Sequence, residues 1–260
     1  MKYYKILQED ENHLGFQYHD GRIDNPNPIL HDGICLTGGI RFYPANTVLE
    51  FAWIGPWIRE VTVPEDVEIV KDVGYKYEVH RASSVILGPR RRWADMDVFL
   101  DLVEHGADIH ASGDDRLLLL AVTEGRLDLV KYLVEHGMDI HAIDDYTLRW
   151  AAVNNRLSVV RFLLEQGSDI HAWDDGALWW AARRGHTDVV KYLVEYGANV
   201  HALNDAALRY AAEYGHFDTV KYLVEQGSDI HALNNYAFYW ATRYKYQDIV
   251  NYLNEQVAKK

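Results

Sequence analysis

Five times along the chain a turn of the form Asp-Ile-His or Asn-Val-His closes a segment, at His110, His141, His171, His201 and His231, so the intervals are 31, 30, 30 and 30 residues. A period of that length marks a solenoid, in which each unit buries its apolar face against its neighbours because it cannot do so alone. Within a unit, Leu148, Ala151 and Ala152, and then Val160, Leu163 and Leu164, repeat the i, i+3, i+4 spacing of a helical apolar stripe. Two short amphipathic helices per unit follow. Gly125, Asn155, Gly185 and Gly215 fall between the helices, and Gly106, Gly137, Gly167, Gly197 and Gly227 follow the second; these residue types take a left-handed helix stop with little strain. Asp115, Asp145, Asp175, Asp205 and Asn235 stand just before the first helix, where a side-chain oxygen is expected to cap free backbone N–H groups.

The segment Gly185-His186-Thr187-Asp188-Val189-Val190-Lys191-Tyr192-Leu193-Val194-Glu195-Tyr196-Gly197-Ala198-Asn199-Val200 resembles the outer helix and following turn of the ankyrin repeat. The resemblance covers residues 94–260: a leading outer helix at about 95–105, four full units (111–141, 142–171, 172–201, 202–231) and a final helical pair at 232–257. It departs from the family's roughly 33-residue unit by three missing residues around Asp144–Arg149, so the hairpin finger is expected to be short. Where the family's Thr-Pro-Leu-His motif places a histidine, this chain has Arg149, Trp179, Arg209 and Tyr239, and aromatic packing is expected to replace its link between units. Trp150, Trp180, Tyr210 and Trp240 occupy a position that is a buried leucine in the family and are read as core. In the last unit Asn254 and Thr242 replace apolar residues, and Lys245 and Val257 replace the two stops, which reads as a polar cap.

Residues 1–92 lack the period and contain all six prolines. The runs Gly39–Tyr43, Trp57–Val63 and Tyr75–His80 predict strands, and Asn46–Trp53 a short helix capped by Asn46, hence a small α+β module. The segments Gly15–Tyr18, Gly38–Tyr43 and Pro64–Asp66 ahead of short repeats are similar to the N-terminal module of giant-virus ankyrin proteins, which implies a source and an architecture without an activity. The expected fold is therefore an α-solenoid of ankyrin repeats (93–260) preceded by a small α+β module (1–92). Gly88-Pro89-Arg90-Arg91-Arg92 stands where an inner helix would belong, so the first outer helix is expected to lean on that module, with the arginines as a linker.

A formal net charge of −13 repels phosphate backbones and anionic lipid, so neither nucleic acid nor membrane is an expected partner. The lone Cys35 builds neither a disulfide framework nor a multi-thiolate metal site, and the start of the chain lacks a signal-peptide apolar stretch. The protein is expected in the cytoplasm, that of the host cell if viral, as a monomer. The histidines at the unit ends are spaced by one packed-helix interval, too far for one zinc ion, and His13, His19, His31 and His80 lack compact ligand spacing; no metal and no cofactor are expected. Common nucleophile, phosphate-loop and zinc-protease motifs are missing. Arg41, Glu60 and Glu78 are read as solvated strand positions, so no catalytic residue is assigned.

The resemblance implies a concave binding surface made by turn tips and exposed ends of inner helices. Here those are Tyr146, Val153, Asn154, Trp173, Arg183, Arg184, Glu213, Tyr214, Tyr236, Arg243 and Tyr244, rich in the residue types of interface hot spots. Residues 95–260 carry a formal −11 against −2 for residues 1–94, yet Arg149, Arg183, Arg184, Arg209 and Arg243 gather on the inner helices. That pattern predicts a protein partner with an acidic or mixed-charge segment. The rival is an enzyme or effector whose N-terminal module acts on a target recruited by the array.

Overall fold

The computed structural model describes residues 2–10, 12–13, 16–24, 30–31, 36–37, 39–72, 76–110 and 116–258. Gly15, Cys35, Gly38, Tyr75 and Asp115 lie outside the described residues, as do the side chains of His13 and His31. The chain divides into two compact units, Met1–Met138 and Asp139–Lys260.

The first unit contains β1 (Tyr3–Leu7), β2 (Asn12–His13), β3 (Phe16–Gln17), β4 (Gly21–Asp24), β5 (Leu30–His31), β6 (Leu36–Thr37), β7 (Ile40–Pro44), the helix α1 (Ala45–Val48), a 3-10 turn (Leu49–Ile54), β8 (Trp57–Thr62), β9 (Val70–Lys71), β10 (His80–Ala82), β11 (Ser84–Leu87) and β12 (Arg91–Arg92). An eight-stranded antiparallel sheet runs β4-β11-β8-β1-β7-β10-β9 with β12 added to β8; β2–β3 and β5–β6 are separate hairpins. Alternation of Ile40 and Phe42 on β7, and of Val85 and Leu87 on β11, sends these side chains into one apolar cluster with Leu7, Tyr18, Ile23 and Val61. β1 is central, paired with β8 on one side and β7 on the other.

Three local expectations change here. The third strand is His80–Ala82, because the Thr47 hydroxyl donates to the Glu78 carbonyl (3.0 Å) and the Glu78 carboxylate turns back to His80 (2.7 Å), which holds Glu78 outside the ladder. The short helix starts at Ala45 behind Pro44, with Asn46 inside it rather than capping it, and tightens to a 3-10 turn from Leu49. Arg90–Arg92 are not a linker. Arg91 and Arg92 form β12 on β8, while Arg90 stacks on Trp57 with its Cζ 3.6 Å from the ring centroid.

The same unit continues into α2 (Met96–Glu104), α3 (Arg116–Glu124) and α4 (Leu127–Glu135). Asp101 on α2 receives Lys2 (3.6 Å) and Arg91 (3.7 Å), Glu124 on α3 receives Arg92 (3.1 Å), and Arg126 bridges Asp95 and Asp128. Partly exposed pairs contribute little stability each. Their role is orientation, and buried Trp93, Val98, Phe99 and Leu102 supply the apolar attachment.

In the second unit α5 (Ala142–Val153), α7 (Ala172–Arg184), α9 (Ala202–Glu213) and α11 (Ala232–Arg243) are inner helices packed in that order. The outer helices α6 (Leu157–Glu165), α8 (Thr187–Tyr196), α10 (Phe217–Glu225) and α12 (Gln247–Ala258) follow in parallel. The paired alanines 151/152, 181/182 and 211/212 are completely buried and let neighbouring inner helices approach closely. Two stops show why glycine sits between the helices. Gly185 (φ +72) and Gly215 (φ +79) are left-handed, and a Cβ there would lie 2.4 Å from the His216 ring and 2.7 Å from the Tyr246 ring.

The missing residues of each unit correspond to a compact left-handed turn in place of a finger. Ile143-Asp144-Asp145, Trp173-Asp174-Asp175, Leu203-Asn204-Asp205 and Leu233-Asn234-Asn235 all have φ between 48° and 63°. Asp and Asn tolerate this region better than other non-glycine residues, which accounts for their repetition. At the last unit Thr242 and Asn254 are exposed, and Lys245 takes the left-handed stop (φ 63).

Candidate functional site

The left-handed turn places each unit's acidic residue differently from a helix cap, which needs an extended backbone. Asp175 Oδ1 accepts from His171 Nδ1 (3.0 Å) and from the Asn199 backbone N–H (2.8 Å). Asp205 Oδ1 likewise accepts from His201 Nδ1 (3.0 Å) and the Asp229 N–H (2.8 Å). His141–Asp145 (2.9 Å) and His231–Asn235 (2.6 Å) repeat the intra-unit half. These histidines therefore hold turns, and through Asp175 and Asp205 the turns hold the next unit. Among the described residues no group of three or more His, Cys, Asp or Glu is arranged to hold a metal ion. If these histidines serve only to hold turns, a strong chelator should leave the melting temperature unchanged. A chelator-dependent drop of several degrees would reverse this reading of the ladder.

A second link between units comes from His186 and His216. Each donates through Nε2 to a carbonyl at the end of the preceding inner helix, Val153 O (2.9 Å) and Arg183 O (3.0 Å). Burial lowers the His186 pKa, favouring its neutral form. At Arg149 and Arg209, where aromatic packing was expected to replace the family histidine's link, the guanidinium itself contributes. Both arginines are buried and donate to carbonyls of their own left-handed turn, Arg149 to Ile143 O (3.0 Å) and Asp144 O, Arg209 to Leu203 O (2.9 Å) and Asn204 O (2.8 Å). They also lie against a ring of the following unit, Trp173 (5.1 Å) and Tyr236 (5.0 Å). Gly176 makes room, since a Cβ there would fall 2.6 Å from Arg149 Cδ. So Arg149 and Arg209, counted above with the basic residues of the face, are structural.

Trp150, Trp180, Tyr210 and Trp240 are half-buried rather than core. The alanine pairs already fill the space between inner helices, which leaves no volume for an indole. The rings instead pave the exposed side of the inner helices. Trp179 meets Trp173 (5.5 Å), Trp180 (4.8 Å) and Tyr210 (5.6 Å), while Trp240 meets Tyr236 (5.9 Å), Tyr239 (5.3 Å) and Tyr244 (5.3 Å). Tyr146 stacks on Trp150 (5.8 Å). Aromatic pairs at these separations hold a rigid apolar surface.

Arg183 sits on this pavement, its Cζ 5.1, 5.9 and 4.9 Å from the centroids of Trp180, Tyr210 and Tyr214, and it donates to the Tyr214 hydroxyl (2.7 Å). Arg184 is exposed beside it. Arg243 lies over Trp240 (5.5 Å) with Tyr244 adjacent. Glu213 accepts from the Tyr236 hydroxyl (2.8 Å), and burial, followed by this bond, pushes the Tyr236 pKa up to about 12. Trp173, Tyr214 and Tyr244 are among the exposed large side chains. Val153 and Asn154 contribute differently: the Val153 carbonyl receives His186, and Asn154 Nδ2 donates to Trp150 O (2.8 Å). The sequence reading missed Trp179, Tyr239 and the four rings it had assigned to the core. The adjacency of large rings to Ala-Ala pairs was the signal available.

A family model described as ankyrin repeats matches three times, at residues 94–174, 148–234 and 178–260. An uncharacterized protein of Acanthamoeba polyphaga mimivirus is 31% identical over 130 residues, covering 49% of this chain and 94% of that protein. Two proteins of the same virus described as putative ankyrin repeat proteins are 30% identical over 131 residues and 34% over 137; the matches cover 50% and 49% of this chain but 39% and 43% of theirs. The chain thus spans less than half the length of these last two. No helix among the described residues is long and apolar enough to cross a membrane.

Proposed function

This chain belongs to the ankyrin-repeat family, and we propose that it works as a protein-interaction module whose concave, inner-helix face binds a partner protein. The observation that carries the reading is the ring pavement with Arg183 seated on it, because Trp, Tyr and Arg in rigid, partly desolvated positions dominate binding energy at interfaces. The ankyrin repeats support a protein partner, and the arginines on the inner helices suit one with an acidic or mixed-charge segment, which we place in the host-cell cytoplasm. We divide the work at residue 92/93, the repeats recognising and the sheet module anchoring the first helices. The protein acts as a monomer and without catalysis. Of the residues weighed for an enzyme in the N-terminal module, Arg41 pairs with Asp72 (3.4 Å) and Glu78 with His80 and Lys71, which commits them to the sheet.

Capture from host-cell extract with intact protein identifies the partner. Replacing Arg183, Arg184 and Tyr214 with Ala is expected to weaken its binding tenfold or more while the far-ultraviolet helical signal stays unchanged. Undiminished affinity in a folded triple variant would move the binding surface elsewhere.

A further inference from the structure

We infer that the segment received on this face is extended and acidic, with the Arg183 guanidinium as the seat for one of its carboxylates; this rests on the preceding reading of the inner-helix face. Among the described residues, Arg183, Arg184 and Arg243 form no ion pair with a carboxylate, although residues 95–260 carry a formal −11. The first unit shows the contrast, since Arg91, Arg92 and Arg126 are all ion-paired there.

Arg183 is moreover already ordered. Three rings surround it and one of its N–H groups is spent on Tyr214, so the remaining donors stay open. A guanidinium fixed before binding loses little side-chain freedom when a carboxylate docks on its planar fork, and the rings exclude water from one side. The carboxylate one repeat further on does not compete. Glu213 is instead engaged by Tyr236. The exposed acids of this unit's outer helices, Asp188, Glu195, Asp218 and Glu225, repel an acidic chain from that side and leave the inner helices as its approach.

Spacing sets the length of the segment. Arg183 and Arg184 end α7 and Arg243 ends α11, two inner helices on. Packed helices lie about 8–10 Å apart, so roughly 20 Å separates the two seats, about six residues of extended chain at ~3.3 Å each. An even interval returns both acidic side chains to one side of the strand, with apolar or small side chains between them over Tyr210 and Tyr214.

The test uses three capped ten-residue peptides of Ala, Leu and Ser in which two positions six residues apart are both Glu, both Gln or both Lys, titrated into the full chain and followed by tryptophan fluorescence and calorimetry. The Glu peptide is expected to bind at least tenfold more tightly than the Gln peptide, with added salt eroding the preference. Arg183→Gln should remove most of that preference, Arg183→Lys should restore part of it, and Arg161→Gln on outer helix α6 should leave it intact. Equal binding of the Gln or Lys peptide, equal loss in Arg183→Gln and Arg161→Gln, or no binding of the Glu peptide overturns the inference. The broader reading is separated by a parallel arm: if Trp180→Ala or Tyr214→Ala abolishes capture of the native partner while no acidic preference exists, the face stands and its acidic occupant falls.

Discussion

Lys5→Met should make the protein more resistant to denaturant at pH 6–7, by on the order of 4 kcal/mol from the ammonium alone, with the gain fading as the pH approaches 10.5. Lys5 lies on the central strand β1, buried, with Nζ donating to Arg41 O (2.9 Å) and sitting 4.5 Å over the Tyr18 ring. Burial, and then the nearby Arg41 charge, push its pKa down from 10.5 to about 7. Between those two values the unfolded chain holds a proton that the folded chain has released, so the stability of the parent rises with pH across that window. Below pH 7 both states are charged and the full penalty remains; above 10.5 both are neutral and it is gone. Losing the bond to Arg41 O costs about 1 kcal/mol and reduces the gain without reversing it. Tyr4 and Tyr18, raised by burial to about 12, lower stability only above pH 10 and do so equally in both proteins, so they cancel in the comparison. A variant no more stable than the parent at pH 7, with the same slope against pH, would mean that the ammonium is solvated or paired.

That lysine also shows where sequence reading stopped. The repeat was legible because its signals are local and recur: i, i+3, i+4 apolar stripes, stops at fixed offsets, and one histidine turn per unit. α2, the helix pairs and the left-handed stops stand at those positions. A strand such as Tyr3-Tyr4-Lys5-Ile6-Leu7 announces nothing of the kind, since only its place between β7 and β8 buries a residue that composition would put in water.

The surface side of the inner helices, where we propose binding, was legible in its residue types and not in its arrangement. Arg183, Arg184, Tyr214 and Tyr244 are on the surface side of the inner helices, as the offset within the unit implies. Arg149 and Arg209 stand one helical turn earlier in the unit and are buried, because three consecutive left-handed residues free two carbonyls to which their forked guanidinium donates. Likewise the rings at Trp150, Trp180, Tyr210 and Trp240 follow from a volume limit set by the neighbouring alanines, a property of packed pairs of helices rather than of one repeat.

Asp205→Ala is expected to destabilise the second unit by about 2–4 kcal/mol, because a buried carboxylate that accepts two bonds disappears. One donor, His201 Nδ1, belongs to the same unit; the other, the Asp229 N–H, belongs to the next, so the loss falls on the turn and on the stacking together. Asp205→Asn keeps an Oδ1 acceptor and should cost less than half as much. The chain supplies its own precedent, since Asn235 occupies this position in the last unit and still accepts from His231 Nδ1 at 2.6 Å. Denaturant unfolding followed by helical circular dichroism gives the stabilities, and amide hydrogen exchange locates the effect: the Asp229 N–H should lose protection in the Ala variant and largely retain it in the Asn variant. The consequence reaches the proposed binding face, because the left-handed turn inside α9 sets the course of the helical residues after it and hence where Tyr210 and Tyr214 meet Arg183. Partner affinity should therefore fall in Asp205→Ala although no contacting side chain has changed. If Asp205→Ala unfolds at the parent's denaturant concentration, or Asp205→Asn costs as much as the alanine, the carboxylate is not what ties one unit to the next, and the His186 and His216 bonds carry that link instead.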